Sequence, residues 1–306
     1  MPEFARDPVG IHNQPEDGFK MKPAPFDYVA PSSVSEVLEL LKRYGEEAKL
    51  LAGGQSLLPM LGMRLHQAGV LIDLNRVGDL QGIRREDGFL KVGAMTRHSD
   101  VERSSEVAES VPLLSQAVPL IGHAAIRNRG TLGGSLAHNH PASELPAVVA
   151  ALEARIEIRS PSSTRTLSAQ EFFTSYLSTD LAEDELLTEV SFPILGEGWR
   201  TAFLEFSRRV GDFALVGVAA AARMENGQCR EARIALTGVG GVPARATEAE
   251  AILRDSPLSP EVMERAAEAV KGEVEPLSDF HGSSDYRRHL CGVFTRRALA
   301  RIAGGE

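Results

Sequence analysis

The chain has 306 residues, with 33 Lys and Arg against 42 Asp and Glu, a formal charge of −9 and a hydrophobic fraction of 43%. This acidic balance argues against a nucleic-acid partner, because neutralising phosphates takes clustered Lys and Arg, and the one basic cluster, from Arg127 to Arg129, is short. No apolar run approaches the ~20 residues needed to span a bilayer, and the two cysteines, Cys229 and Cys291, are too few for an iron–sulfur cluster and lack CxxC spacing. Two reduced thiols in a soluble cytoplasmic protein are expected.

Residues 1–20 are polar and without periodicity, and read as an expression leader with Met21 as the natural start. A first unit, 21–75, opens on a helix. Ser33 and Glu36 have capping-box spacing, Val37, Leu38, Leu41 and Tyr44 share one face, and Gly45 closes the end. A strand over 49–52, a helical turn over 57–63 and a strand over 70–74 follow. The second unit, 76–196, is expected to hold a strand over 89–94, an apolar helix over 111–121, a helix over 144–152 capped by Ser143, and strands over 155–159 and 186–192. In the third unit, 197–306, strands over 200–207 and 213–225 lead through an Asn226-Gly227 hairpin turn into a strand over 233–238. Helices over 246–253, 260–270 (Ser259 as cap, Pro260 first) and 285–302 complete a three-stranded sheet under helices.

Two glycine pairs, roughly eighty residues apart, carry the functional signal: AGGQSLLP (residues 52–59) and TLGGSLAHNHPASELP (131–146). Glycine lets backbone N–H groups turn inward around an anion with no side chain in the way. One such pair is an ordinary turn signal, whereas two can bracket a pyrophosphate, which has two anionic centres. In the first segment Gly53, Gly54, Gln55 and Ser56 offer N–H groups just before a helical turn whose positive end favours an anion. In the second, Thr131, Gly133, Gly134 and Ser135 offer amides and hydroxyls.

This pair of segments resembles the flavin-binding signature of the FAD-carrying medium subunits of the molybdenum hydroxylases, the carbon monoxide dehydrogenase and xanthine dehydrogenase family. The likeness extends through MKPAPFDYVAPSSVSEVLELL (21–41), FSRRVGDFALVGVAA (206–220), TGVGGVPARATEAE (237–250) and SDYRRHLCGVFTRRAL (284–299), about 280 residues in all. It implies an α+β chain: a two-lobed FAD-binding domain of the vanillyl-alcohol-oxidase (PCMH) type, then a C-terminal α+β domain with a three-stranded antiparallel sheet. It also implies non-covalent FAD, held by Leu51, Ala52, Gly53, Gly54, Gln55, Ser56 and Leu57 of the first segment and by Thr131, Gly133, Gly134 and Ser135 of the second. Ile121, Gly122, Leu186 and Leu187 would line the rest of the pocket, Glu144 would meet a sugar hydroxyl, and Phe213 would lie against the flavin ring.

Read from the residues alone, Glu144 is equally a carboxylate at a helix start, and Phe213, Leu186 and Leu187 are equally core. The family often has His at Gln55 and usually Asp at His140. His138 and His140, with His123 near, are a weak metal signal without an acidic ligand. GVGGVP (238–243) is not a Rossmann fingerprint, since it lacks the third glycine and Pro243 interrupts the helix start. The resemblance further implies partners: a large molybdopterin subunit and a small subunit with two 2Fe-2S clusters, in a dimer of heterotrimers. The expected function is electron transfer from those clusters through FAD to a terminal acceptor; the rival is a self-sufficient flavin oxidase or reductase of similar fold.

Overall fold

The computed structural model describes residues 22–304. The segment read as a leader lies outside them.

A small parallel sheet comes first, with Val70–Asp73 central between Asp27–Val29 and Ala48–Leu51. Parallel neighbours need a crossover, and the helix Val34–Tyr44 supplies it between the outer strands, placing Val37, Leu38 and Leu41 against Val70 and Ile72. Ser33 caps that helix by accepting from the Glu36 N–H at 3.2 Å. The return bond is displaced by one residue from the expected capping box: the Glu36 carboxylate accepts from the Ser32 N–H at 2.7 Å, not from Ser33. Gly45 closes the helix at φ 48°.

A five-stranded antiparallel sheet follows, in the order Ile83–Glu86, Phe89–Gly93, Leu186–Pro193, Arg155–Arg159, Thr164–Leu167. The two outer strands escape sequence reading because they are short and largely exposed, with no apolar alternation to mark them. Every residue of the helix Glu144–Leu152 is buried, packed between this sheet and the next. The apolar stretch expected as one helix over 111–121 is a helix at Pro112–Ala117 that tightens to 3₁₀ at Val118–Leu120. Pro119 has no N–H to continue the α-helical ladder. Ser143 stands at the N-cap position of Glu144–Leu152, but its hydroxyl makes no capping bond.

The third layer is an antiparallel meander of Trp199–Phe206, Val216–Glu225 and Gln228–Thr237, with Asn226 and Gly227 at φ 50° and 78° in the hairpin turn. Two-residue pieces, Ala244–Arg245 and Ser256–Pro257, add to the three long strands expected. Both faces of this sheet are covered. Val218, Ala220 and Ala222 point at the helices Thr247–Leu253, Pro260–Glu273 and Ser284–Ala303, while Ala219 and Ala221 join the core of the middle layer. Period-2 alternation between two buried faces is why the strand reads as an unbroken apolar run, and its alanines let the helix Glu144–Leu152 approach. Cys229 and Cys291 are buried in this third core as free thiols. No helix among the described residues is long and apolar enough to cross a membrane.

Candidate functional site

The three layers meet around a cavity of about 710 Å³. Of the residues expected from the sequence to hold the cofactor, all line it except Leu51 and Thr131. Leu51 turns its side chain toward Leu61 and Leu71, behind the glycine turn. Thr131 is buried and caps the next helix.

The first glycine segment leaves the strand Ala48–Leu51 and bends at Gly54, where φ is +74°. The Leu58 N–H donates to the Gly54 carbonyl at 3.1 Å to close the turn, and the Gln55 side chain folds back to donate to the Gly53 carbonyl at 3.2 Å. Among the described residues, no acceptor takes the N–H of Gly53, Gly54, Gln55 or Ser56. Backbone donors left open at a cavity wall are the feature an anion needs.

The second segment is built differently from the expectation. Gly133 and Gly134 do not form an open loop: they sit in the first turn of the helix Leu132–His138, and their amides are already used. Gly133 donates to the Ala94 carbonyl at 2.8 Å, Gly134 to the Thr131 hydroxyl at 3.1 Å, and Ser135 to the Thr131 carbonyl at 3.0 Å. These glycines serve close packing instead. A Cβ on Gly133 would fall 2.5 Å from the Ala94 Cβ, and one on Gly134 would fall 2.7 Å from the Thr131 hydroxyl.

The two segments touch. A Cβ on Gly53 would lie 2.4 Å from the Arg129 carbonyl oxygen and 2.7 Å from the Gly130 Cα. A polar clasp fixes this contact from behind: Arg97 donates to the Arg129 carbonyl and to Asn75 Oδ1, and Asn75 donates to the Ala52 carbonyl at 3.2 Å. Nothing in the sequence pattern joins Asn75 or Arg97 to the glycines. Only the fold does.

Ile121, Leu177, Leu181, Leu186 and Leu187 add apolar side chains to the wall. Phe213 is not at a strand start, as expected, but in the connection before Val216–Glu225. It is 63% exposed, so it is no core residue, and its ring stacks on His140 at 4.1 Å and 17°. Burial, with a contribution from His138, holds the His140 imidazole down at about 4, and its Nδ1 accepts from the Ala142 N–H at 3.2 Å. His140 is therefore a neutral platform. The same connection packs Gly211 onto the His123 ring, leaving no room there for a Cβ.

Glu144 is 6% exposed at the first position of its helix, and burial raises its carboxyl to about 7. Glu205, on Trp199–Phe206, is raised to about 8 by burial and then by the Glu144 charge, and its Oε2 has no hydrogen-bond partner. In the unfolded chain both would ionise near 4.5. Between there and about pH 8 the unfolded state has given up protons that the folded state keeps, so stability falls as pH rises and levels off above that range. Glu205→Gln should flatten this decline, leaving stability at pH 5 near that of the parent and raising it at pH 8 by on the order of 2 kcal/mol. Denaturant melts of the ligand-free chain at both pH values check it. Parallel pH profiles for parent and variant would show that Glu205 ionises normally.

Sequence reasoning also passes over His98, Met60 and Asp212, which line the same cavity. Their only signal is proximity in the fold.

A cavity of this size, lined by open amides, apolar side chains and a stacked aromatic, is the site of a nucleotide-type cofactor. The comparisons with known proteins define which. Residues 24–195 match the FAD binding domain in molybdopterin dehydrogenase, and residues 201–302 match the CO dehydrogenase flavoprotein C-terminal domain. The chain belongs to the family of FAD-binding medium subunits of the molybdenum hydroxylases. It is similar to the 6-hydroxypseudooxynicotine dehydrogenase complex subunit alpha of Paenarthrobacter nicotinovorans, at 42% identity over 92% of this chain and 95% of that one. Among solved structures it resembles carbon monoxide dehydrogenase from Hydrogenophaga pseudoflava (TM-score 0.90, 40% identity, 92% of this chain and 98% of the other). It likewise resembles quinoline 2-oxidoreductase from Pseudomonas putida 86 (TM-score 0.89, 40% identity, 92% and 98%).

Proposed function

We propose that this chain is the electron-transfer subunit of a cytoplasmic molybdenum hydroxylase. It takes electrons from 2Fe-2S clusters on a small partner subunit and delivers them to a terminal acceptor, while a large molybdopterin subunit oxidises the substrate; the assembly is a dimer of heterotrimers. The observation that carries this reading is one continuous cavity lined by the open amides of the first glycine segment, by apolar side chains and by Phe213. The residues fit FAD. Gly53, Gly54, Gln55 and Ser56 would bind the pyrophosphate through backbone N–H groups, Gly134 would give it a wall without a side chain, and Glu144 would meet a ribityl or ribose hydroxyl. Leu186, Leu187 and Phe213 would orient the ring and keep water from one face. When bound, FAD supplies a carrier that accepts electrons singly and releases them singly or in pairs. The chain's own part is to bind, orient and dock, a role that asks for no protein acid or base. Residues 21–75 and 76–196 would form the two flavin-binding lobes, and 197–306 the C-terminal domain.

The flavin should be held non-covalently. Both thiols are in the third core, away from the cavity, and burial pushes Cys229 up to about 11 and Cys291 to about 12, so neither is an available nucleophile. Acid precipitation of the yellow holoprotein should leave all the flavin in the supernatant. Colour retained by the washed pellet would show a covalent link and refute this mode of binding.

A further inference from the structure

His98 opens the helix His98–Arg103 directly beneath the second glycine segment, with its N–H donating to the Gly130 carbonyl at 3.0 Å. Its side chain lines the cavity yet is only 4% exposed, and neither Nδ1 nor Nε2 has a hydrogen-bond partner. The Thr131 carbonyl is near the ring but outside hydrogen-bonding geometry. A buried donor and acceptor left unmet cost free energy, and native structures rarely keep them without a use. Burial outweighs an upward pull from the Thr131 backbone and, with weaker help from the Arg127 and Arg97 charges, holds the imidazole at about 4, so it is neutral and carries one N–H and one lone pair.

Its position tells what it meets. A Cβ on Gly130 would come 2.8 Å from His98 Nδ1, and the Gly130 Cα is in turn the atom on which Gly53 packs. The edge of the His98 ring thus lines the cavity where the two glycine segments join, next to the open amides, with both ring nitrogens covered in the ligand-free chain. We propose that His98 is a binding residue for the pyrophosphate of the flavin nucleotide, its neutral imidazole donating a hydrogen bond to a phosphate oxygen beside the Gly53 segment. This rests on the reading of the cavity as an FAD site. It also supplies what the second glycine pair lacks, since the amides of Gly133 and Gly134 are spent within the chain.

A buried side chain kept for a ligand and one kept for the fold give opposite signs when it is made apolar. In the full-length chain, His98→Leu should leave the thermal midpoint of the ligand-free protein unchanged or higher, because an unmet polar group is gone. It should weaken FAD by about tenfold or more, read from flavin fluorescence quenching. ADP, which has the pyrophosphate without the flavin, should lose the same factor as a competitor. His98→Asn, too short to reach, should match the FAD and ADP losses and serves if the leucine variant fails to fold. FAD affinity within twofold of the parent in either folded variant overturns the proposal, as does a lower ligand-free midpoint in both that accounts for the loss. Unchanged ADP competition moves the contact off the pyrophosphate and overturns it too. Failure of the unaltered chain to bind FAD would refute the cavity reading itself, a result independent of His98.

Discussion

Gly53→Val should break the flavin site and cost stability together. A Cβ at Gly53 would press on main-chain atoms, the Arg129 carbonyl oxygen at 2.4 Å and the Gly130 Cα at 2.7 Å, and neither can swing aside as a side chain would. The two glycine segments must then part, and the clasp through Asn75 and Arg97 opens with them. Overpacking of this kind costs about 1–3 kcal/mol of fold stability. A similar loss in pyrophosphate contacts weakens FAD by roughly ten- to a hundredfold. Purified Gly53→Val should come off the column largely colourless, with a lowered melting midpoint. Gly62→Ala, in the helix Leu57–Gly62 that follows the same segment, is the control, since a Cβ there meets nothing within 4 Å. Normal flavin content and an unchanged midpoint in Gly53→Val would mean that the close approach of the segments is dispensable.

The same contact changes what other glycine substitutions report. A Cβ on Gly134 would strike the Thr131 hydroxyl, and Gly54 holds φ at +74°, so valine at either position disturbs the fold as well as the phosphate path. Neither is a clean test of binding alone.

Much of the architecture is legible in the sequence because local chemistry and tertiary packing agree. Ser33 and Gly45 bound a helix whose apolar face is Val37, Leu38 and Leu41, and the structure buries those three. Asn226-Gly227 sets a hairpin that the flanking strands obey. The first glycine segment is legible for the same reason, since the bend at Gly54 and the open N–H groups are local properties. The second misleads. Its two glycines look like an open loop, but Thr131 caps a helix through them, and Gly133 makes room for Ala94, thirty-nine residues earlier, while Gly134 makes room for the Thr131 hydroxyl and Ala52. Phe213 misleads in the other direction. An aromatic among Ala214, Leu215 and Val216 reads as the start of a buried strand, whereas its ring is exposed, lines the cavity and stacks on His140. Asn75, Arg97, His98 and Glu205 carry no pattern at all. Their roles follow from which backbone groups the fold brings beside them, and that information is spread over all three layers.

We propose that this chain carries electrons and leaves substrate oxidation to another. Among the described residues of the cavity wall, His140 is held neutral against Phe213 with its Nδ1 accepting a backbone N–H, and burial raises the Glu144 carboxyl to about 7. The direct measurement is flavin bleaching followed by stopped-flow absorbance, in the isolated FAD-loaded chain and in the assembled complex from the native host. The isolated chain should be reduced by dithionite yet remain yellow with the hydroxylation substrate, and adding the molybdopterin and 2Fe-2S subunits should restore bleaching at the rate of turnover. Substrate-driven bleaching of the isolated chain, as fast as in the complex, would contradict the account and make this protein a self-sufficient flavin enzyme.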